Sequence, residues 1–193
     1  MSTFSAAIGS HTELLLRTAR GLDDTNAASL CVGWTRGHVL THLARNADGL
    51  AALIRAAADG TGETMYASDQ ARDAAIDAGA RRDLDALVDD VEHSATTLAR
   101  LLPRIEGLDP DTEVERIPDG PRFRIGQLPF LRLRELVYHH VDLDAGFTFH
   151  DVGPELIAAF LADEYARLAE PDRHAALASD VLWRARGIRE ESR

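Results

Sequence analysis

The stretch Leu131-Arg-Leu-Arg-Glu-Leu-Val-Tyr-His-His-Val-Asp-Leu143 decides how this chain folds. It contains no Gly or Pro, is rich in Leu and Arg, and reads as the middle of a helix. Leu133, Leu136, Val137 and Val141 form one apolar face, and Leu128, Leu131 and Tyr138 a second. A helix apolar on two sides is expected at the centre of a fold, packed by other helices. Glu135 and His139 are four residues apart, so their side chains lie on one face, one turn apart. A carboxylate and an imidazole held that way can bind one divalent metal ion.

Outward from this segment the pattern is helical. Ile8, Leu15, Leu16, Ala19 and Leu22 mark a helix over residues 4–22, ended by Gly21 and Asp23-Asp24. Thr35 is placed to cap a second helix over 36–58, with Trp34 stapling its start and Val39, Leu43, Leu50 and Ile54 as its core stripe. Ser68 is placed to cap a short helix over 69–78, and a long one follows over 83–102 until Pro103 stops it. Residues 104–124, with two Gly and three Pro, read as a long loop in which 114–117 has a weak strand signal. The quoted stretch belongs to a fourth long helix over 125–146, and a fifth runs over 154–169. The expected architecture is a mainly all-α, antiparallel four-helix bundle over 1–150, with a C-terminal helix and tail over 151–193. The tail holds Val181-Leu-Trp183 and then becomes highly charged, which points to disorder at its end.

Composition narrows the function classes. A net charge of -11 over 193 residues disfavours nucleic acid and anionic membrane surfaces as partners. No apolar run approaches the roughly 18–20 residues of a membrane span, and the N-terminus lacks a signal peptide's pattern, so a cytoplasmic location is expected. The single Cys31 allows no internal disulfide. All 21 basic residues are Arg, which together with abundant Ala points to a GC-rich genome.

The Glu135/His139 pair needs at least one more ligand. His42, on the flank of the second helix's core stripe, is the best candidate, and His38, four residues before it, makes a rival pair with it. Two neutral imidazoles and a carboxylate suit zinc and leave a coordination position open for water or substrate, although Ni and Fe(II) accept the same donors. His140 reads as a hydrogen-bonded core residue; His11, His93, His150 and His174 read as surface or capping residues. Cys31 reads as a structural thiol with no activating partner. Arg72, Arg132 and Arg134 are of the type that holds carboxylates bidentately, or forms surface ion pairs. Glycine-rich phosphate loops, nucleophile elbows and Cys-x-x-Cys motifs are absent.

Three blocks carry a resemblance. Gly33-Trp-Thr-Arg-Gly-His-Val-Leu-Thr-His-Leu-Ala44, Glu63-Thr-Met-Tyr-Ala-Ser-Asp-Gln-Ala-Arg72 and Arg134-Glu-Leu-Val-Tyr-His-His-Val-Asp-Leu143 resemble, in order and spacing, the mycothiol-dependent maleylpyruvate isomerases of the DinB/YfiT-like superfamily of metal-binding bundles. The resemblance spans roughly residues 10–168. It implies zinc on His42, Glu135 and His139, and mycothiol, an actinobacterial thiol, as cosubstrate; Arg72, in the second block, is the candidate cofactor-binding residue. It further implies thiolate addition to the cis double bond of maleylpyruvate, bond rotation, and elimination to fumarylpyruvate. Family members of full length carry a C-terminal domain that contributes an arginine; here about 25 residues follow Leu168, with Arg184, Arg186 and Arg189 as the substitutes within them. Two other functions are compatible: a mycothiol S-transferase acting on an electrophile, and a non-catalytic metal- or ligand-binding bundle. The expected partners are a small thiol and a small unsaturated acid, with a homodimer as the oligomer considered.

Overall fold

In the computed structural model, which describes residues 3–168, six helices carry the chain: α1 (Thr3–Arg20), α2 (Arg36–Asp59), α3 (Asp69–Gly79), α4 (Leu84–Leu101), α5 (Leu128–Asp142) and α6 (Pro154–Leu168). The chain divides into two compact units, the first ending at Thr148 and the second beginning at Phe149. In the first unit α1, α4, α2 and α5 contact one another in a closed ring, and α3 lies on α2. This is the mainly helical bundle expected. Among the described residues no helix is long and apolar enough to cross a membrane.

The helix ends follow from identifiable caps. Thr35 closes a capping box: its hydroxyl accepts from the His38 N–H, and its own N–H donates to His38 Nδ1 at 3.1 Å. Ser68 accepts from Ala71 N–H at 3.0 Å and Asp83 from Ala86 N–H at 2.8 Å, which starts α3 and α4. Gly60, at φ 70°, ends α2 in the left-handed conformation that a Cβ would penalise.

The central helix is α2, not α5. Val39, Leu40, Leu43, Ala44, Ala47, Leu50, Ala51, Leu53 and Ile54 are all buried, which surrounds α2 with protein on nearly every side. Small residues make this position accessible to α2. A Cβ on Gly37 would run into the Ala80 carbonyl, so only glycine lets α2 approach the end of α3 this closely. On α5 a single stripe is buried, made of Leu128, Arg132, Leu133, Leu136, Val137 and His140. Its second apolar face, with Leu131 and Tyr138, is only half-buried, because a cleft rather than a helix lies over part of it.

The region read as a loop has more structure than its composition suggested. A 3-10 turn spans Leu102–Gly107, and β1 (Glu113–Glu115) pairs antiparallel with β2 (Arg122–Arg124), Val114 opposite Phe123. Three-residue strands are too short to show alternation, and the Pro118 to Pro121 segment hides the hairpin. The backbone N–H groups of Met65 and Tyr66 tie the segment before α3 to this hairpin by donating to the Glu115 and Arg116 carbonyls at 3.0 and 2.9 Å. The fourth long helix is also shorter than expected: Ile125–Gln127 is a 3-10 turn, and α5 proper starts where Pro129 can occupy the first turn without a lost hydrogen bond. Val181, Trp183, Arg184, Arg186 and Arg189, with the charged tail, lie outside the described residues.

Candidate functional site

The C-terminal end of α5 is tied to the start of α2 by a polar clamp. Arg36 donates from Nε to the Leu143 carbonyl at 2.8 Å and from Nη2 to the Asp144 carbonyl at 2.7 Å. Leu30 N–H donates to the Asp142 carbonyl at 2.9 Å. These bonds satisfy carbonyls that a helix end leaves without intrahelical partners. They also fix the connector of residues 29–34 across the helix carrying Glu135 and His139.

Three side chains converge at this junction. His42 of α2 is buried, with Nε2 2.8 Å from Glu135 Oε2. His139 Nε2 lies 3.5 Å from the same oxygen, and the two imidazoles meet edge to face with centroids 4.5 Å apart. All three donor atoms fall within 4.8 Å of one another. Glu135 and His139 are brought together by the helix alone, whereas His42 comes from ninety-three residues earlier in the chain. His38 does not join them. Its Nδ1 is used in the capping box and its Nε2 lies 3.6 Å from Asp77.

The surroundings set the protons. Burial works against charge on Glu135, yet hydrogen bonds from His139 and His42 hold its carboxyl well below the ordinary range. For Asp142 burial is likewise overridden by bonds from His139 and Cys31, so it too is ionised. Asp142 Oδ2 is 2.8 Å from His139 Nδ1; an ionised carboxylate only accepts, so Nδ1 carries a proton and Nε2 is the nitrogen turned to Glu135. Burial disfavours the charged form of His139, but Asp142, Cys31 and Glu135 outweigh it and push its pKa up to about 11. His42 goes the other way, lowered chiefly by burial. Arg72 Nη2 is 3.3 Å from His42 Nδ1 and can only donate, which leaves the His42 proton on Nε2, donated to Glu135.

This arrangement suits a divalent cation. Donor atoms bound to a tetrahedral zinc at about 2.0–2.1 Å stand roughly 3.3 Å apart, and the observed 2.8 and 3.5 Å separations bracket that value. Two carboxylates, Glu135 and Asp142, draw a positive charge onto His139; a bound cation would supply that charge instead. The carboxylate on the far nitrogen of His139 is the outer contact that metal-ligating histidines use to fix their tautomer.

Other residues at the site were not evident from spacing. Cys31 is not isolated: its thiol donates to Asp142 Oδ2 at 3.2 Å and lies 3.9 Å from His139 Nδ1. The connector places it there through the Leu30 bond, a contact that sequence separation conceals. Trp34 stands 5.4 Å from the His42 ring and 6.3 Å from the His139 ring, with the Arg72 guanidinium 5.9 Å over its own face. Asp142 had one readable signal, its position three residues after His139 on the same helix.

Arg132 departs from the surface role read for it. It is fully buried, and Nη1 donates to the Leu43 carbonyl and Asn46 Oδ1, each at 2.8 Å. Desolvation lowers its pKa to about 10. It therefore ties α5 to α2 immediately after His42. His140 is a core histidine as read, with Nε2 2.8 Å from Thr18 Oγ1 and its ring stacked on Phe147 at 3.8 Å. His11 packs edge-on against the same Phe147 and is half-buried, not a surface residue. His93 and His150 are exposed, and His174 lies outside the described residues.

A cleft of about 160 Å³ opens beside the cluster, lined among others by His42, Asn46, Tyr66, Arg72, Arg116, Arg134 and Glu135. Burial raises the Tyr66 pKa, so the group stays a neutral phenol.

Comparison with known proteins gives this geometry a context. Residues 9–144 match the mycothiol maleylpyruvate isomerase N-terminal domain. The chain belongs to the mycothiol maleylpyruvate isomerase family. Two crystal structures are similar to it. One is a mycothiol-dependent maleylpyruvate isomerase at 31% identity, and the other is a histidine-to-alanine mutant of the mycothiol-dependent isomerase at 30%. Each has a TM-score of 0.73, covering 85% of this chain and 72% of the other. No curated protein matches the chain in sequence. Membership in the isomerase family marks the chain as an enzyme. Within the family match lie all three converging side chains, along with Cys31, Trp34, Arg72 and Asp142.

Proposed function

We propose that this protein is a zinc- and mycothiol-dependent cis–trans isomerase that converts maleylpyruvate, or a closely related unsaturated acid, to the trans isomer in the cytoplasm. The observation that supports this most is the His42–Glu135–His139 group opening onto an arginine-lined cleft in a chain of this family. His42, Glu135 and His139 would hold the ion, and a divalent metal bound there lowers the pKa of a thiol so that the thiolate persists at neutral pH.

The protein's own groups then have definite tasks. Asp142 keeps the His139 proton on Nδ1 and so keeps Nε2 directed at Glu135. Arg72, Tyr66 and Arg134 would offer donors to the carboxylates of the acid, and Arg72, beside His42, would also contact the cosubstrate. Trp34 and the buried apolar wall of α2 limit water at the reacting end. Mycothiol, when bound, would supply a nucleophilic sulfur for reversible addition across the cis double bond, so that the bond could rotate before the thiol is released. Arg72, Tyr66 and Arg134 would meanwhile hold the carboxylates of the acid in place. Sulfur and electrons are recovered unchanged, so no oxidant or reductant is consumed.

The test is conversion of maleylpyruvate by the purified protein, with and without mycothiol and with and without chelator, paired with metal content. Turnover that needs both mycothiol and about one metal per chain is the expected result. Metal-dependent conjugation of mycothiol to an electrophile, with no isomerisation, would replace the isomerase by an S-transferase.

A further inference from the structure

The chain carries eleven more negative than positive charges, so its mean field repels anions. The cleft beside the His42–Glu135–His139 group runs against that field, since three guanidiniums, those of Arg72, Arg116 and Arg134, line one space of about 160 Å³ together with Glu135. Arg72 and Arg134 are two of the three arginines, with Arg132, whose residue type and place in the sequence suggest carboxylate binding. Arg116 comes from the hairpin, immediately after β1, and its position depends on contacts that only the folded chain makes.

Those contacts are specific. The Arg116 carbonyl accepts from Tyr66 N–H at 2.9 Å, and its own N–H donates to the Pro121 carbonyl at 2.9 Å. The guanidinium lies 5.5 Å over the Tyr66 ring. Nη1 pairs with Asp69, which is 60% exposed, while Nε and Nη2 carry no hydrogen bond among the described residues. Arg72 is held in the same way: Nη1 bonds the 62%-exposed Asp73 at 2.6 Å and Nη2 reaches His42. Asp69 and Asp73 stand one turn apart on α3, so exposed carboxylates each hold one nitrogen of two guanidiniums that line the cleft. Arg72 adjoins His42, at the reacting end, whereas Arg116 adjoins neither histidine. Tyr66 meets both arginines, accepting from Arg72 at its hydroxyl and lying under the Arg116 guanidinium, and burial keeps its phenol neutral.

We propose that Arg116 is the specificity-determining residue that binds the distal carboxylate of a small dicarboxylate substrate, while Arg72 serves the carboxylate nearer the histidines. The inference rests on the reading of the His42–Glu135–His139 group as the reacting end. A guanidinium that keeps two donors for a carboxylate offers a charge-assisted, two-point contact, which an uncharged end group cannot exploit. The cleft therefore selects acids with charge at both ends over acids with charge at one.

The experiment is calorimetric titration of the intact chain, without mycothiol, with maleate and with the cis isomer of crotonate (called crotonate below), which has the same cis four-carbon skeleton and one carboxylate fewer. Wild type, Arg116→Met and Arg116→Lys are compared, each checked for helix content. Wild type should bind maleate at least about tenfold more tightly than crotonate. Arg116→Met should reduce maleate affinity to the crotonate level and leave crotonate unchanged, and Arg116→Lys should recover part of the preference. Equal maleate affinity in wild type and folded Arg116→Met, absence of any preference, or absence of binding by either acid overturns the proposal. Isomerisation is scored separately with mycothiol: discrimination without turnover would overturn the isomerase reading alone, and turnover with no Arg116-dependent discrimination would overturn the subsite alone.

Discussion

The floor and the rim of the cleft are built by different means. The floor is helical: Glu135 and His139 share a face of α5, and His42 meets them from α2, whose position is fixed by the buried residues around it and by Arg132 beneath. Much of the rim comes from connectors: Tyr66 arrives on the segment before α3 and Arg116 on the hairpin. Cys31 and Trp34, on residues 29–34, stand behind it against His139 and His42. Each segment is held by a few backbone hydrogen bonds. A helical floor holds reactive groups at set distances because the fold itself would have to deform to move them. Connectors tolerate change in the groups they present, so the contrast separates where a reaction is run from which molecule is accepted.

The largest effect should come from the floor. His42→Ala or Glu135→Ala should lose bound metal and catalytic turnover while circular dichroism still reports a folded bundle; stoichiometric metal in both variants would break the ligand assignment. The same carboxylate leaves a signature in chelated protein. Because Glu135 is held well below its ordinary value of 4.5, it contributes stability that is present above about that pH in the unfolded reference. That contribution is lost as pH falls through the folded value. Denaturant titrations across this range should show the loss in wild type and a flatter dependence in Glu135→Gln.

Asp142→Ala tests the support under the floor. It removes the partner of His139 Nδ1 and frees the imidazole to adopt the other tautomer or rotate, which should weaken metal binding by roughly 10–100-fold without unfolding the protein. A competition titration with a chelator of known affinity measures this directly. Unchanged affinity would mean that helix geometry alone orients the ligand.

The smallest effect should come from Thr35→Ala. It removes the side-chain half of the capping box that starts α2, at a cost of about 1 kcal/mol in denaturant unfolding. Metal content per folded chain should not change, because His42 lies two turns further along and is fixed by the buried body of the helix. A loss of metal in this variant would show that the floor depends on the helix end and would blur the contrast drawn above.

The elements legible in the sequence were those specified locally. Thr35 and Ser68 mark helix starts because capping needs only residues three or four apart. Glu135 and His139 could be seen as a pair because a helix turn sets their spacing. Periodicity could not distinguish which helix is central. Arg132 and His140 are buried on α5 while Leu131 and Tyr138 are only half-buried, because a cleft and not another helix lies over part of that second face. Of the hairpin only the first strand gave a weak signal, over 114–117; its partner Arg122–Arg124 did not register because a three-residue strand carries too little alternation.

By itself the sequence determined the helical class, most helix limits, and the donor types that converge at the junction of α2 and α5, since each follows from short-range periodicity and side-chain chemistry. The partnership of Cys31 with Asp142, the burial of Arg132 against the Leu43 carbonyl, and the delivery of Arg116 to the cleft were decided only in three dimensions. They join residues 111, 89 and about 50 positions apart, the last counted from Arg116 to Tyr66. Contacts over such separations depend on how whole helices and connectors dock, and no local pattern in the chain encodes that.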